Sequence, residues 1–365
     1  MIHYKTYIAM FVVSALGSAA LTPVAMRVAA RIGAVDLPNA RKIHSKPMPR
    51  LGGFAVFFGF LLPWAGLYLL QNQISVVFRD YEKLFAALLA GTGTMFALGA
   101  YDDAKGAAPG MKLIVQAFTA LCLFVAGYRI ESISIPFSGA LPLGYFSLPI
   151  SMLWIIGVTN AINLLDGIDG LVSGVTLITA LSLSVINIMT GNVLLALLTL
   201  CLAGACLGFL PYNHYPARIF LGDSGSLTIG MVLACIGILT LFRFAPYHGN
   251  ASSLITVPLL LFGIPIFDTM RVMFKRFRKG VSIFRPDKTH VHHRLLSMGM
   301  SQKHAAWLLY FVAASLGGAS IFLTRLDAGQ QKQLSVLFAL LAGGGYLIWR
   351  LHLREVLLPD EEREK

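Results

Sequence analysis

Residues 193–210 read VLLALLTLCLAGACLGFL, eighteen consecutive positions without a charge. At about 1.5 Å rise per residue, a helix of this length crosses most of the roughly 30 Å hydrocarbon layer of a bilayer. A surface helix of a soluble protein would carry charge on one face. Working outward from this run, ten more of the same kind appear, at about 7–29, 51–70, 83–101, 111–128, 147–163, 169–189, 224–242, 253–272, 305–324 and 332–351. The chain is therefore predicted to be all-α, a polytopic membrane protein with about eleven transmembrane helices. It reads as one integral-membrane domain over 1–365, with a short charged tail at 352–365. The first run is too long for a leader peptide, and no small-residue cleavage site precedes the basic loop after it.

Composition agrees. Hydrophobic residues make up 56% of the chain and charged residues 13%, against about 25% charged in soluble domains. This excludes an ordinary soluble enzyme, a disordered chain and a nucleic-acid-binding domain. The net charge of +12 is read as orientation. Of the 29 Lys and Arg, 22 fall in one alternating set of loops and 7 in the other. The richer set is expected in the cytoplasm, which places the N-terminus outside and the C-terminus inside. The four cysteines lie inside apolar runs and read as small hydrophobes. The segment 129–146 alternates weakly and suits a short surface hairpin.

The scarce acids carry more information. Asp36, Asp102, Asp103, Asp166, Asp169, Asp223, Asp268 and Asp287 all fall on the cytoplasmic side or at cytoplasmic helix ends. Acids near lipid are costly and mark functional sites. Tyr101-Asp102-Asp103 ends the third span, and adjacent carboxylates repel each other unless a cation or a proton transfer uses them. In NLLDGIDG, Asn163, Asp166 and Asp169 recur every three residues and are expected on one side of a helical turn. In FLGDSGS, Asp223 precedes an apolar run, where it could cap the helix or, with its small neighbours, meet a phosphate or hydrated cation. Asn213 lies just upstream in PYN. The loop from Arg271 to Arg294 carries Arg276, Arg278, Lys288, Arg294 and HVHH (His290, His292, His293), which suit an anionic diphosphate better than zinc. In KIHSKPMPRLGG, Lys46 could reach a phosphate or a base. Pro258 and Pro265 interrupt the ninth span and predict a kink or break.

Carboxylates and basic groups on one membrane face suit Mg2+ with a diphosphate. From the residues alone the reading stops at metal-assisted phosphoryl transfer at the membrane surface. The rival reading, a secondary transporter, would place its polar groups near the bilayer midplane.

The ordered set YDD, NxxDGIDG, FLGDSGS and HVHH resembles the polyprenyl-phosphate N-acetylhexosamine-1-phosphate transferases, the group that contains the MraY and WecA/TagO enzymes. The resemblance spans the chain from the Lys46 loop to His293. HVHH in place of three consecutive histidines is similar to the WecA/TagO branch. The resemblance implies transfer of N-acetylhexosamine-1-phosphate, GlcNAc-1-phosphate first, from a UDP-sugar to undecaprenyl phosphate with release of UMP. It implies Mg2+ as cofactor, with Mn2+ able to substitute, and a cytoplasmic-face site in a bacterial inner membrane. The lipid-linked product would initiate a surface polysaccharide, and a homodimer is compatible with the family. By position, Asp223 would be the main metal ligand. Asp102 and Asp103 would be the catalytic pair, Asp102 also touching metal. Lys46, Asn163, Asp166, Asp169, Asn213, Phe220, Arg276, His290, His292, His293 and Arg294 would bind substrate, with Phe220 stacked on the base. The bent ninth span is expected to form a groove for the polyprenyl chain.

Overall fold

The computed structural model describes residues 4–37, 47–69, 81–135, 139–243, 256–278, 280, 290–326, 330 and 334. Lys46, Lys288, the tail at 352–365 and all but Leu334 of the predicted eleventh span lie outside the described residues.

Helix α1 (Tyr4–Ile32) leads through a two-residue antiparallel bridge, β1 (Val35–Asp36) with β2 (Met48–Pro49), into α2 (Gly52–Leu69). Next come α3 (Glu82–Lys105) and α4 (Pro109–Ala126), then an antiparallel hairpin of β3 (Ser132–Ile135) and β4 (Gly139–Pro142). The hairpin falls inside the segment whose alternation predicted it. Then follow α5 (Ser147–Leu165), α6 (Leu171–Met189), α7 (Val193–Asn213) and α8 (Gly222–Ile238). The series ends with α9 (Thr256–Leu261), α10 (Gly263–Arg278), α11 (Val291–Ser297) and α12 (Gln302–Leu323).

Among the described residues, eight helices are long and apolar enough to cross a membrane: α1, α3, α4, α5, α6, α7, α8 and α12. The apolar part of α2 is shorter, Gly52–Leu67. Each predicted span that falls on described residues coincides with helix. The ninth is divided in two, with Phe262 between α9 and α10. Pro265 has no N–H to give the Leu261 carbonyl one turn back, so the ladder loses a bond there. Helical bonds continue on either side, Phe262 N–H to Pro258 O at 3.0 Å and Ile266 N–H to Phe262 O at 3.0 Å.

Helix α8 is the axis of the bundle. Every one of its residues, Gly222 to Ile238, is buried. Helices α3 and α5 pack along it. Where α3 crosses α8, a Cβ on Gly99 would lie 2.3 Å from the Asp223 carbonyl oxygen, so only glycine permits the contact. Helix α1 uses another small-residue face, Ser14, Gly17, Ser18, Thr22, Ala25 and Ala29. Backbones approach closely along such a stripe, and Ser14 Oγ donates to the Cys201 carbonyl of α7 at 2.5 Å. The outer flanks show the reverse pattern. Ile114, Phe118 and Val125 on α4, Leu153 on α5 and Phe311 on α12 are exposed. Large apolar side chains facing outward around a buried helix are the surface of a bundle solvated by lipid. The protein is an all-α polytopic membrane protein.

Candidate active site

Chain direction alternates through the bundle, so alternate helix ends meet at one pole. The end of α3 brings Asp102 and Asp103 there, and the start of α8 brings Asp223. One oxygen from each of these three carboxylates lies within 4.8 Å of the others. The three do different jobs. Asp103 caps α8 from outside: its Oδ1 accepts from Asp223 N–H at 2.8 Å and its Oδ2 from Ser224 N–H at 2.9 Å. These are orphan donors of a helix N-terminus, and a carboxylate there also meets the positive end of the dipole. Asp223 sits in the first helical turn and is not the cap. Its carboxylate is left to face the cluster. Asp102 Oδ1 accepts from Ala107 N–H at 2.6 Å, which folds the α3–α4 turn under it.

Two cations close the cluster. Lys112 Nζ lies 2.8 Å from Asp102 Oδ2 and 2.6 Å from Asp223 Oδ2. Arg50 places Nε 3.2 Å from Asp103 Oδ1 and Nη2 3.0 Å from Asp223 Oδ1. Arg50 is fixed by backbone bonds on both sides. Its N–H donates to Ala34 O at 2.9 Å. Pro49 O accepts from Phe220 N–H at 2.9 Å, Gly52 N–H donates to Phe220 O at 3.0 Å, and Gly53 N–H donates to Leu221 O at 2.9 Å. Burial would lower the Arg50 pKa, but Asp103, Asp223, Asp166 and Asp36 outweigh it and raise the value above that of free arginine.

The NLLDGIDG segment forms the adjoining wall. Asn163, in the last turn of α5, donates from Nδ2 to Ser226 Oγ of α8 at 2.8 Å. Asp166 is the residue that ends α5, and Asp169 lies in the turn before α6. The three therefore do not share one helical side, because the helix stops at Leu165. Asp169 Oδ2 accepts from Ala217 N–H at 3.0 Å. Desolvation pushes the Asp166 pKa up to about 7; Arg50 pulls it down, while Asp223, Asp103 and Asp169 push it up.

Asn213 is buried, and its amide is engaged within the protein. Its Oδ1 accepts from Ser173 Oγ at 2.8 Å and its Nδ2 donates to Ile219 O at 3.0 Å. That ties α7 and α6 to the irregular segment that leads into α8. Phe220 is half-buried on that segment, held through its backbone to Pro49 and Gly52.

The histidines form a second wall. His290 and His292 stack with ring planes 4° apart and centroids at 5.9 Å, and His293 lies 4.3 Å from His292. A Cβ on Gly167 would fall 2.0 Å from His292 Nε2, so the ring rests directly on the Asp166–Gly170 turn. Burial, then His293 and His290, lower the His292 pKa to about 3, which keeps this ring neutral. Arg276 in the last turn of α10 and Arg294 in α11 are half-buried.

The sequence gives no site role to Arg50 or Lys112, and it places Asp268 among the cytoplasmic-face acids without a partner. Arg50 lies in the same KIHSKPMPRLGG turn as Lys46. Lys112 is a lone charge opening an apolar span. Asp268 is an acid inside the ninth span, which was itself a signal.

Three carboxylates and two cations at one pole of a bundle solvated by lipid fit the site of a membrane enzyme or carrier. Comparison with known proteins narrows this. The family model described as Glycosyl transferase family 4 matches residues 85–241. A probable undecaprenyl-phosphate N-acetylglucosaminyl 1-phosphate transferase of Bacillus subtilis (strain 168) is 36% identical over 303 residues, 83% of this chain and 80% of that protein. A decaprenyl-phosphate N-acetylglucosaminephosphotransferase of Mycobacterium tuberculosis (strain ATCC 25618 / H37Rv) is 33% identical over 331 residues, 84% of this chain and 80% of that one. An undecaprenyl-phosphate alpha-N-acetylglucosaminyl 1-phosphate transferase of Escherichia coli (strain K12) is 29% identical over 307 residues, 81% and 78% respectively. The chain belongs to glycosyl transferase family 4.

Proposed function

We propose that this protein transfers GlcNAc-1-phosphate from UDP-GlcNAc to undecaprenyl phosphate and releases UMP. The observation that carries the reading is the cluster of Asp102, Asp103 and Asp223 gathered at the head of a buried helix and flanked by Arg50 and Lys112. The names of the relatives supply the acceptor and the sugar. Hard oxygen donors grouped this closely fit Mg2+ or Mn2+. Asp223 and Asp102 would hold the ion, since both Asp103 oxygens already serve the α8 cap. When bound, the ion supplies charge neutralisation on the diphosphate oxygens.

The chain's own groups do the rest. Arg50 and Lys112 are placed to take phosphate oxygens as the charge shifts. The Asp166–Gly170 turn and the histidines line the side on which the nucleotide and sugar would lie. The remaining assignments, Asn163, Asp169, Asn213, Phe220, Arg276, Arg294 and Lys46 as substrate contacts, belong to the same proposal. The lipid phosphate oxygen attacks the β-phosphorus in line, and UMP leaves. A phosphate monoester with a second pKa near ~6 is already largely ionised at neutral pH, so no strong base is required. The reacting pole lies at the cytoplasmic face of a bacterial inner membrane, with the N-terminus outside. The chain acts as one domain, and the bent α9–α10 pair grooves the polyprenyl chain.

The test is direct. Purified protein is mixed with Mg2+, undecaprenyl phosphate and a panel of radiolabelled UDP-sugars, and the lipid phase is extracted. Lipid-borne label with UDP-GlcNAc, accompanied by UMP, is the expected result. Uptake of a solute into proteoliposomes with no UMP would overturn the proposal in favour of a transporter.

A further inference from the structure

Asp268 is buried in α10, with its side chain 5% exposed, and no step above uses it. A carboxylate in that position is costly unless each oxygen has a partner. Both do. Oδ2 lies 2.7 Å from His290 Nδ1, and Oδ1 accepts from Val291 N–H at 2.8 Å. Arg271 Nη2, one turn along, approaches Oδ1 at 3.9 Å. His290 is as buried as its partner, 6% exposed in its side chain. The two are 22 positions apart, so the pair joins α10 to the start of α11.

A carboxylate accepts, so Nδ1 of His290 is the protonated nitrogen, and Nε2 is the ring nitrogen left for a ligand. The Val291 bond removes the other freedom, rotation of the α11 terminus on which the ring is mounted. The stack then carries this orientation onward. His292 lies parallel to His290 and rests on Gly167, inside the turn that carries Asp166 and Asp169. Buried His292 Nδ1 has no hydrogen-bond partner among the described residues. It is a polar atom kept in place by packing alone, so its direction depends on the ring beneath it.

We propose that Asp268 is a positioning residue for the transfer reaction: it clamps His290 and the first N–H of α11, and so sets the histidine wall against the Asp166–Gly170 turn. Asp268 touches no substrate; it acts through His290. The inference rests on the transferase reading for its kinetic consequence, but the clamp itself does not.

The experiment is a double-mutant cycle on the full-length protein in lipid vesicles, with D268N, H290Q and the two combined. Asparagine keeps an acceptor for Val291 N–H and removes the carboxylate from His290. D268N should lower kcat/KM for the UDP-sugar by about 10- to 100-fold, the scale of loss when a metal-bound histidine loses its orienting carboxylate, with an unchanged thermal midpoint. H290Q should do the same, and the double variant should be no worse than the worse single one. Losses that multiply, or D268N within twofold of wild type, would overturn the proposal. A second readout needs no turnover. The 15N shifts of labelled histidine should report a single Nδ1–H tautomer at His290 in wild type and a mixed one in D268N; a mixed tautomer in wild type would overturn the clamp. A wild type that makes no lipid-linked product yet shows the single tautomer would defeat the transferase reading and leave the clamp standing.

Discussion

The two walls of the site are built on opposite electrostatic plans. The carboxylate wall, where the end of α3 meets the heads of α4 and α8, holds Asp102, Asp103 and Asp223 against Arg50 and Lys112, with contacts of 2.6 to 3.2 Å. The histidine wall joins one carboxylate, Asp268, to a stack of rings in which His292 is held neutral. The first plan suits groups whose charge changes during a reaction, a cation and a diphosphate. The second suits a rigid, weakly charged surface that gives shape and hydrogen-bond direction to a sugar nucleotide. Burial acts in opposite ways on the two walls: on one it strengthens charge pairs, on the other it suppresses charge.

The largest effect is expected at Asp223. Asp223→Asn keeps the size of the side chain and removes the charge that Lys112 and Arg50 face. UMP release should fall at least a thousandfold, about 4 kcal/mol in the barrier. A radiometric turnover assay would read it. Lys112→Gln removes one donor from the same wall, and the expected loss in kcat is about a hundredfold, the scale of one charge-stabilising donor. Across the site, Gly167→Ala inserts a methyl 2.0 Å from His292 Nε2. That should displace the ring and lower kcat/KM for the UDP-sugar about tenfold, with little change in thermal midpoint measured in detergent.

Within the carboxylate wall, Asp102 and Asp103 should separate. Asp103→Ala leaves two donors at the head of α8 uncapped and should cost about 1–2 kcal/mol of stability, read as a lowered thermal midpoint. Asp103→Asn keeps an acceptor and should recover part of it. In pH dependence the Asp166 turn and the histidine wall should differ in sign. Asp166 is raised to about 7, so the unfolded chain loses its proton first. The stability it contributes is full below the usual carboxylate pKa and is lost as pH rises toward 7. His292 is lowered to about 3, so the unfolded chain takes up its proton first. Its contribution is present above about 6.5 and is lost as pH falls toward 3. Thermal midpoints of Asp166→Asn and His292→Gln between pH 4 and 7 should therefore shift in opposite directions relative to wild type.

The helices were plain in the sequence because lipid imposes a length and a composition on every span, and residues 193–210 or 224–242 satisfy both. The break at Phe262 was also legible, since Pro265 removes a specific backbone bond. The acids were legible for the same reason: an Asp among apolar residues stands out. What could not be read was pairing. Nothing in the spacing says that Asp103, rather than Asp223, caps α8, because that contact joins positions 120 residues apart. Arg50 and Lys112 read as topology charges; the crossing of α3, α4 and α8 makes Lys112 a partner of the acids, and the backbone bonds from Pro49, Gly52 and Gly53 to Phe220 and Leu221 do so for Arg50. The period of the NLLDGIDG triplet put its three polar residues on one side of a helical turn, at the join between two spans, yet α5 ends at Leu165 and leaves Asp166 and Asp169 in the turn. Periodicity cannot show where a helix stops when Asp and Gly provide the turn.

The central claim is that the carboxylate wall moves a phosphoryl group, with its sugar, to a lipid phosphate. UDP-GlcNAc labelled with 32P at the β-phosphorus tests this most directly, in vesicles that hold the protein, undecaprenyl phosphate and Mg2+. The label should appear in the lipid phase, matched one for one by unlabelled UMP. Label recovered as free UDP, with the sugar but no 32P on the lipid, would contradict this.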